Sequence, residues 1–137
     1  MVNIVAWIKG RSPEERYFDG ARKGNLKAVG ALLASGAPVD TADRYGRTAL
    51  FLALKYDHVH IAQALLEAGA DPNHRMPNGK TPIFQAIRHG SLGGVRLLVE
   101  RGADLTLRDE GGDTPYLYAK ALARFQICQE LEKAAAP

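Results

Sequence analysis

Gly46-Arg-Thr-Ala-Leu-Phe51 returns 33 residues later as Gly79-Lys-Thr-Pro-Ile-Phe84. Setting residues 43–75 against residues 76–108 gives ten identical pairs, where average composition would give roughly two. The same interval leads from the second copy to Gly112-Asp-Thr-Pro115. A period of this length, kept over most of the chain, indicates a repeat protein in which each unit contacts only its neighbours.

Each repeat has the sequence features of two short helices joined by a turn. A Gly precedes a Thr that can cap a first helix, which we predict over residues 49–56, 82–88 and 115–122. A polar break follows, in which Asp57 and Ser91 are suited to cap the second helix. The second helices carry apolar residues three and four positions apart and end near a Gly. Because one unit cannot bury its own apolar stripe, stacked units must share a core.

These motifs resemble those of the ankyrin repeat family, whose pattern is Gly-x-Thr-Pro-Leu-His followed by Leu-Leu and Gly-Ala-Asp. The second repeat continues with Leu65-Leu66 and Gly69-Ala-Asp71, and the third continues with Leu98-Val99 and Gly102-Ala-Asp104. The resemblance covers about residues 13–134. It implies an all-α solenoid of stacked helix-turn-helix units with β-hairpin-like loops.

We predict that residues 1–137 form a single ankyrin-repeat domain. Its parts are an N-terminal segment (1–12), a capping first repeat (13–42), a second repeat (43–75), a third repeat (76–108) and a capping fourth repeat (109–137). Ser12-Pro-Glu-Glu15 has the arrangement of a capping box, which should start the first helix near Pro13. Apolar residues within 1–9 are expected to pack over the edge of the first repeat, with an interfacial membrane anchor as the alternative.

Two features depart from the family pattern. The family's His is absent, and apolar residues that would pack instead of hydrogen-bonding stand in its place: Phe18, Phe51, Phe84 and Leu117. Gly93-Gly94 falls inside a predicted helix, where each Gly costs about 1 kcal/mol relative to Ala. Close approach of two helices explains such a pair, and a hinge is the alternative.

The composition excludes several classes of protein. Hydrophobic residues make up 46% of the chain and charged residues 24%, which is typical of a folded domain. No apolar run is long enough to span a bilayer, and the single cysteine, Cys128, cannot form an internal disulfide. The start of the chain lacks the basic region of a signal peptide, so we expect a cytoplasmic protein.

No catalytic, cofactor-binding or metal-binding motif is present in the sequence, so we predict that the protein is not an enzyme. The four His residues are interpreted as surface residues. Cys128 aligns with apolar core positions, which predicts a buried, unreactive thiol. An acidic cluster, Asp109, Glu110 and Asp113, lacks the spacing of a calcium loop and is interpreted as a solvated loop.

The resemblance also implies a concave surface, made of turn tips and first helices, that binds other proteins. Mapping the repeats onto that pattern selects the following candidate partner-binding residues: Arg22, Lys23, Arg44, Tyr45, Arg47, Lys55, Tyr56, Asn78, Lys80, Arg88 and His89. Tyr and Arg are enriched at interface hot spots, and basic residues speed the encounter with an acidic partner. We therefore expect a non-catalytic module that binds a protein partner whose surface is acidic. No small-molecule substrate is expected.

Two alternatives use other surfaces or ligands. A structural or regulatory subunit of a larger complex would use the N-terminal apolar segment or the ends of the stack. Nucleic acid would contact the same basic residues, but a net charge of only +3 and an acidic fourth repeat disfavour it. The protein is expected to be a monomer when alone.

Overall fold

The structure is a computed structural model and describes residues 12–136. Within this range the chain forms eight helices and no strand: α1 (Pro13–Lys23), α2 (Leu26–Ala34), α3 (Ala49–Lys55), α4 (Val59–Glu67), α5 (Pro82–His89), α6 (Leu92–Glu100), α7 (Pro115–Ala121) and α8 (Phe125–Ala135). The all-α class is thus confirmed, and each predicted first helix is present within a residue or two of its expected ends. The expectation for residues 1–9 lies outside the described residues.

The helices stack in two rows. Each odd-numbered helix packs on the helix that follows it and on the next odd-numbered helix, so every repeat rests on its neighbours. We call α1, α3, α5 and α7 the inner helices, and α2, α4, α6 and α8 the outer helices. None of the helices in the described part of the chain is long and apolar enough to cross a membrane.

Narrow turns connect the repeats at the predicted loops. The N–H of Asp43 donates to the carbonyl of Arg47 at 2.9 Å, and Met76 and Asp109 make the equivalent bond to the fifth residue of their own turns. Gly46 lies inside the first turn with a φ of 78°, a conformation that a side chain would strain. The loops therefore close like hairpins, although residues 12–136 contain no paired β-strands.

Polar side chains cap most of the helices as expected. Ser12 and Glu15 form a reciprocal capping box at α1, with bonds of 3.1 and 2.9 Å. The hydroxyl of Thr48 accepts from the N–H of Phe51, and Ser91 accepts from the N–H of Gly94. Each such cap contributes about 1 kcal/mol.

Two expected caps differ from the sequence prediction. Thr81 stands at the start of α5, but its buried hydroxyl makes no hydrogen bond. Asp57 is not the cap of α4, because His58 occupies that position and Asp57 adopts a left-handed conformation with a φ of 60°. Asp57 occupies the position of Gly24 in the first repeat and Gly90 in the third, and all three have a positive φ. The chain therefore requires a left-handed residue at this position of the repeat.

A ladder of leucines runs through the centre of the stack. Leu65, Leu98 and Leu131 occupy equivalent positions in the outer helices and are almost completely buried, whereas Leu32 is half-buried in the first repeat. Burying each of the three almost completely buried leucines contributes about 1.5–3 kcal/mol. The ladder therefore joins the repeats into one core.

The glycine pair lies in an unbroken helix, α6. Gly94 is buried, and a Cβ atom built on it would stand 3.3 Å from both the Ala86 and the Leu54 side chains. Gly93 is exposed, with its nearest such neighbour 4.0 Å away. Close packing of α6 on the inner helices explains Gly94. This agrees with the close approach of two helices that was expected from the sequence.

The last repeat replaces core residues with polar ones. Lys120 is exposed, although Leu54 and Ile87 at the equivalent positions are fully buried. Glu132 is likewise exposed where Leu66 is buried, and it accepts a hydrogen bond of 2.9 Å from the hydroxyl of Tyr116. The outward side of the fourth repeat is therefore suited to contact with water.

Candidate functional site

The inner helices form one side of the stack. Neighbouring inner helices pack against one another more extensively than neighbouring outer helices do. We call the surface formed by the inner helices and the turn tips the concave face, after the surface that the ankyrin resemblance implies. Stacked repeats use such concave surfaces for binding.

The structure places the eleven candidate residues in the turn tips and at the carboxyl ends of the inner helices. Nine of them are exposed: Arg22, Lys23, Arg44, Tyr45, Lys55, Tyr56, Asn78, Arg88 and His89. The other two, Arg47 and Lys80, are half-buried. Two groups emerge from their contacts, and they differ in how freely their charges face solvent.

The first group is the Tyr45 cluster, which consists of Arg44, Tyr45 and Arg47. Both guanidinium carbons lie close to the Tyr45 ring centroid, at 5.0 Å for Arg44 and 4.9 Å for Arg47. The ring nevertheless remains 55% exposed. The cluster combines a large aromatic surface with two cations, which is a composition that interface hot spots favour.

Asp43 holds the Tyr45 cluster in place. Its carboxylate accepts from Nε of Arg47 at 2.7 Å and from the backbone N–H groups of Tyr45 and Arg47 at 2.9 Å each. Burial alone would raise the pKa of Asp43, but these hydrogen bonds from Arg47 and Tyr45 outweigh it and lower the pKa. Arg47 is thus a fixed part of the turn, whereas Arg44 makes no ion pair among residues 12–136.

A groove lies between the Tyr45 cluster and α1. It has a volume of about 530 Å³, and its walls include Glu14, Phe18 and Arg22 from α1 as well as all three members of the cluster. Polar and apolar groups line it together, so it can accept a side chain of mixed character. Sequence reasoning selected Arg22 and the cluster, but not Phe18 or Glu14.

The second group is the helix-end row, which consists of Arg22, Lys55 and Arg88. These residues are spaced by 33 in the sequence and stand at equivalent positions near the ends of α1, α3 and α5. All three are exposed, and Arg22 lies 3.7 Å from Asp19, an ion pair at the outer limit of distance. Within the described part of the chain, no carboxylate pairs with Lys55 or Arg88. Cations at helix carboxyl ends are also favoured by the helix dipole.

Neighbouring side chains flank the helix-end row. Lys23 pairs with Asp19 at 3.1 Å, and the Nζ atom of Lys55 lies 5.6 Å from the centroid of the Tyr56 ring. His89 lies 3.7 Å from the Asp57 carboxylate. The row therefore belongs to a continuous band of polar and aromatic groups that crosses three repeats.

Side chains from later in the chain satisfy the backbone carbonyls beneath the row. A ring nitrogen of His58 lies 3.0 Å from the Arg22 carbonyl, and a ring nitrogen of His89 lies 3.2 Å from the Lys55 carbonyl. Arg124 donates to the Arg88 carbonyl at 2.7 Å. These bonds join each inner-helix end to the repeat that follows it.

The surface interpretation of the His residues was therefore incomplete. His58 and His89 join neighbouring repeats through the row's carbonyls, and His74 lies 3.1 Å from the Gly46 carbonyl inside its own repeat. The sequence holds one signal of these bonds between repeats, because His58 and Arg124 occupy equivalent positions and both side chains can donate a hydrogen bond. The partners could not be read from the sequence.

Lys80 and Asn78 join the third repeat to the fourth. Lys80 donates to the Asp109 carboxylate at 2.9 Å and lies 5.0 Å from the centroid of the Tyr118 ring. The carbonyl of Asn78 accepts from the N–H of Glu110 at 2.9 Å. The solvated-loop interpretation of the acidic cluster was wrong for Asp109, which is buried, although Glu110 is exposed.

Two candidates for other chemistry remain, a metal site and the Cys128 thiol, and the geometry gives little support to either. No group of His, Cys, Asp and Glu residues suited to a metal ion occurs among the residues described. Cys128 is half-buried rather than buried, because its helix belongs to the last repeat and nothing described covers that side. The equivalent Ala62 and Val95, which lie between two repeats, are fully buried.

The fold defines a helical repeat protein of the solenoid class. The chain belongs to the ankyrin repeat family, because a family model described as ankyrin repeats, in three copies, matches residues 18–109. Comparison with curated proteins gives no match. Ankyrin repeats are generally protein–protein interaction modules, and the family is typically non-catalytic.

Proposed function

We propose that this protein is a non-catalytic binding module that holds an acidic segment of a partner protein on its concave face. The helix-end row carries this proposal. Lys55 and Arg88 are exposed and have no carboxylate partner within residues 12–136, and Arg22 has only a distant one. Three such cations at one position in successive repeats create a positive stripe that attracts carboxylates.

The Tyr45 cluster supplies a second point of attachment. Tyr45 offers an exposed ring close to two guanidinium groups, and Arg44 is free to pair with a carboxylate. The adjoining groove gives a partner side chain somewhere to be buried. Together these features support directional binding in addition to long-range attraction.

The face is held rigid before a partner arrives. Repeats are joined beneath it by the Lys80–Asp109 pair and the side chains on the helix-end carbonyls. Two further bonds link the loops of neighbouring repeats: Asp40 accepts from the N–H of Asp71, and Asn73 accepts from the N–H of Asp104 at 2.7 Å. Preorganisation lowers the entropy lost on association and thereby supports affinity.

The test is capture from a cytosolic extract, the compartment that we propose for the protein. Immobilised wild type is compared with the variant Arg44→Glu/Lys55→Glu/Arg88→Glu. A matched control, Arg16→Glu/Lys27→Glu/Lys133→Glu, reverses three exposed residues away from the row, so both variants shift the net charge from +3 to about −3. Circular dichroism must first show equal helicity.

The proposal predicts that the wild type and the control retain the same protein and that the concave-face variant loses it. Retention by all three proteins, or by none, would contradict the proposal. Competition by an oligonucleotide, with binding that falls steeply in salt, would instead assign the row to nucleic acid.

A further inference from the structure

The helix-end row stops in the fourth repeat, where apolar residues take over. Ala121 follows Arg88 at the 33-residue interval, and Leu122 stands where the earlier repeats have Lys23, Tyr56 and His89. Phe125 begins α8 just beyond it. Leu122 is 40% exposed and Phe125 is 76% exposed, which is unusual for a phenylalanine. We call these two residues the terminal apolar pair.

The terminal apolar pair is fixed beside the last cation of the row. Arg124 lies between Leu122 and Phe125 in the chain, and it donates to the Arg88 carbonyl at 2.7 Å. Its own N–H donates to the carbonyl of Ala119 at 2.9 Å, which closes the break between α7 and α8. The basic stripe and the apolar pair are therefore parts of one rigid surface.

The spacing of the row suits an extended chain. Packed helices lie about 8–10 Å apart, so equivalent residues of neighbouring repeats are separated by about that distance. A chain in the polyproline II conformation has three residues per turn and advances about 3.1 Å per residue, so every third side chain lies on the same side about 9 Å further along. Side chains three residues apart can thus meet Arg22, Lys55 and Arg88 in turn, and the next such position reaches the apolar pair.

Resting on the proposed function, we infer that the partner segment binds in the polyproline II conformation, with three acidic residues at every third position, continued by one bulky apolar residue at the same interval. The acidic side chains pair with the helix-end row. The apolar side chain covers Leu122 and Phe125. This arrangement pairs each cation of the helix-end row with a carboxylate and buries the exposed ring of Phe125 in the fourth repeat.

Synthetic fluorescent peptides test this inference on the full chain. The probe is a peptide of Ser and Thr that carries three Glu at every third position, with a Leu three residues beyond each outer Glu. Two outer Leu residues serve both possible directions of binding. One comparison peptide has the same composition with its Glu residues adjacent, and another has Ser in place of both Leu residues.

Protein variants assign the apolar contact. Leu122→Ser/Phe125→Ser removes the terminal apolar pair, and because both side chains are exposed the fold should be retained. Leu117→Ser is the matched control, since Leu117 is also 40% exposed but lies at the first turn of α7 rather than beside Arg88.

Fluorescence anisotropy should show the spaced peptide binding the wild type about tenfold more tightly than the adjacent-Glu peptide. Loss of the Leu residues should weaken binding to the wild type and to Leu117→Ser by about tenfold, with little effect on the variant that lacks the pair. Equal affinity for the spaced and adjacent peptides, including the absence of binding by both, overturns the inference.

The outcomes also separate this inference from the proposed function. If both acidic peptides bind equally and Lys55→Glu/Arg88→Glu abolishes both, the spacing is wrong and the acidic-partner face stands. If the reversed protein binds every peptide as well as the wild type does, the proposed face itself is wrong.

Discussion

The Nζ atom of Lys80 lies 2.9 Å from Oδ2 of Asp109, a residue 29 positions later in the chain and one repeat further along the stack. The Asp109 side chain is only 4% exposed, and the N–H of Asp113 donates to its other oxygen at 2.9 Å. A buried carboxylate is stable only when its charge is compensated. Lys80, selected from sequence as a partner-binding residue, therefore has a clear structural role between the third and fourth repeats.

Removing the cation should destabilise the protein. Lys80→Met keeps the apolar stem but leaves Asp109 without its counter-charge, and we expect the free energy of unfolding to fall by about 1–3 kcal/mol. Urea denaturation measures this change. Lys55→Met is the control, since the exposed Lys55 should change stability by no more than about 0.5 kcal/mol. Adding Asp109→Asn to Lys80→Met should recover part of the loss, and no recovery would argue against the pair.

The same pair should make stability depend on pH. The hydrogen bond from Lys80 lowers the pKa of Asp109 in the folded protein. A carboxyl with a lowered folded pKa contributes fully above its unfolded value, about 3.9, and that contribution is lost as the pH falls through the folded value. The free energy of unfolding of the wild type should therefore fall more steeply than that of Asp109→Asn as the pH drops below about 4. Parallel curves would show that Asp109 is not held ionised.

The two glycines of α6 should respond to alanine in opposite directions. Gly94→Ala places a Cβ 2.9 Å from the Ser91 hydroxyl that caps this helix, and it should cost about 1–3 kcal/mol. Gly93→Ala meets open surface and should gain about 0.5–1 kcal/mol from helix propensity. Thermal unfolding of the two variants tests this. Stabilisation by both substitutions would mean that α6 packs less closely on the inner helices.

Ala123 is held in a conformation that suits glycine. Its φ is 55°, close to the 60° of Asp57, whereas the equivalent Gly24 and Gly90 adopt positive φ without a side chain. Ala123→Gly should therefore stabilise the protein by about 1 kcal/mol. Asp57→Gly should gain less, because Asp tolerates the left-handed region better than Ala does. A melting temperature of Ala123→Gly at or below that of the wild type would show that the strain is absent.

The period and the turn signals were enough to predict the fold, because each repeat uses local chemistry. Gly46 and Gly79 mark turns, and Ser12 and Ser91 mark caps whose partners lie three residues away. Thr81 shows where local chemistry fails, since its hydroxyl is buried without a hydrogen bond. Local signals predict local bonds, and packing decides the exceptions.

The site was predicted as a set of positions but not as a set of contacts. Asp43 compensates Arg47 within one turn, but Met76 stands at the equivalent place in the next turn. Lys80 therefore pairs forward with Asp109 across the repeat boundary. Such pairing depends on how the layers stack, which the sequence does not specify residue by residue.

The most direct test of the central claim is an amide chemical-shift map of the ¹⁵N-labelled protein titrated with the captured partner. We predict that the largest changes fall in residues 43–47 and around Arg22, Lys55 and Arg88, with the outer helices little affected. Changes concentrated in the outer helices or at the ends of the stack would contradict a concave binding face.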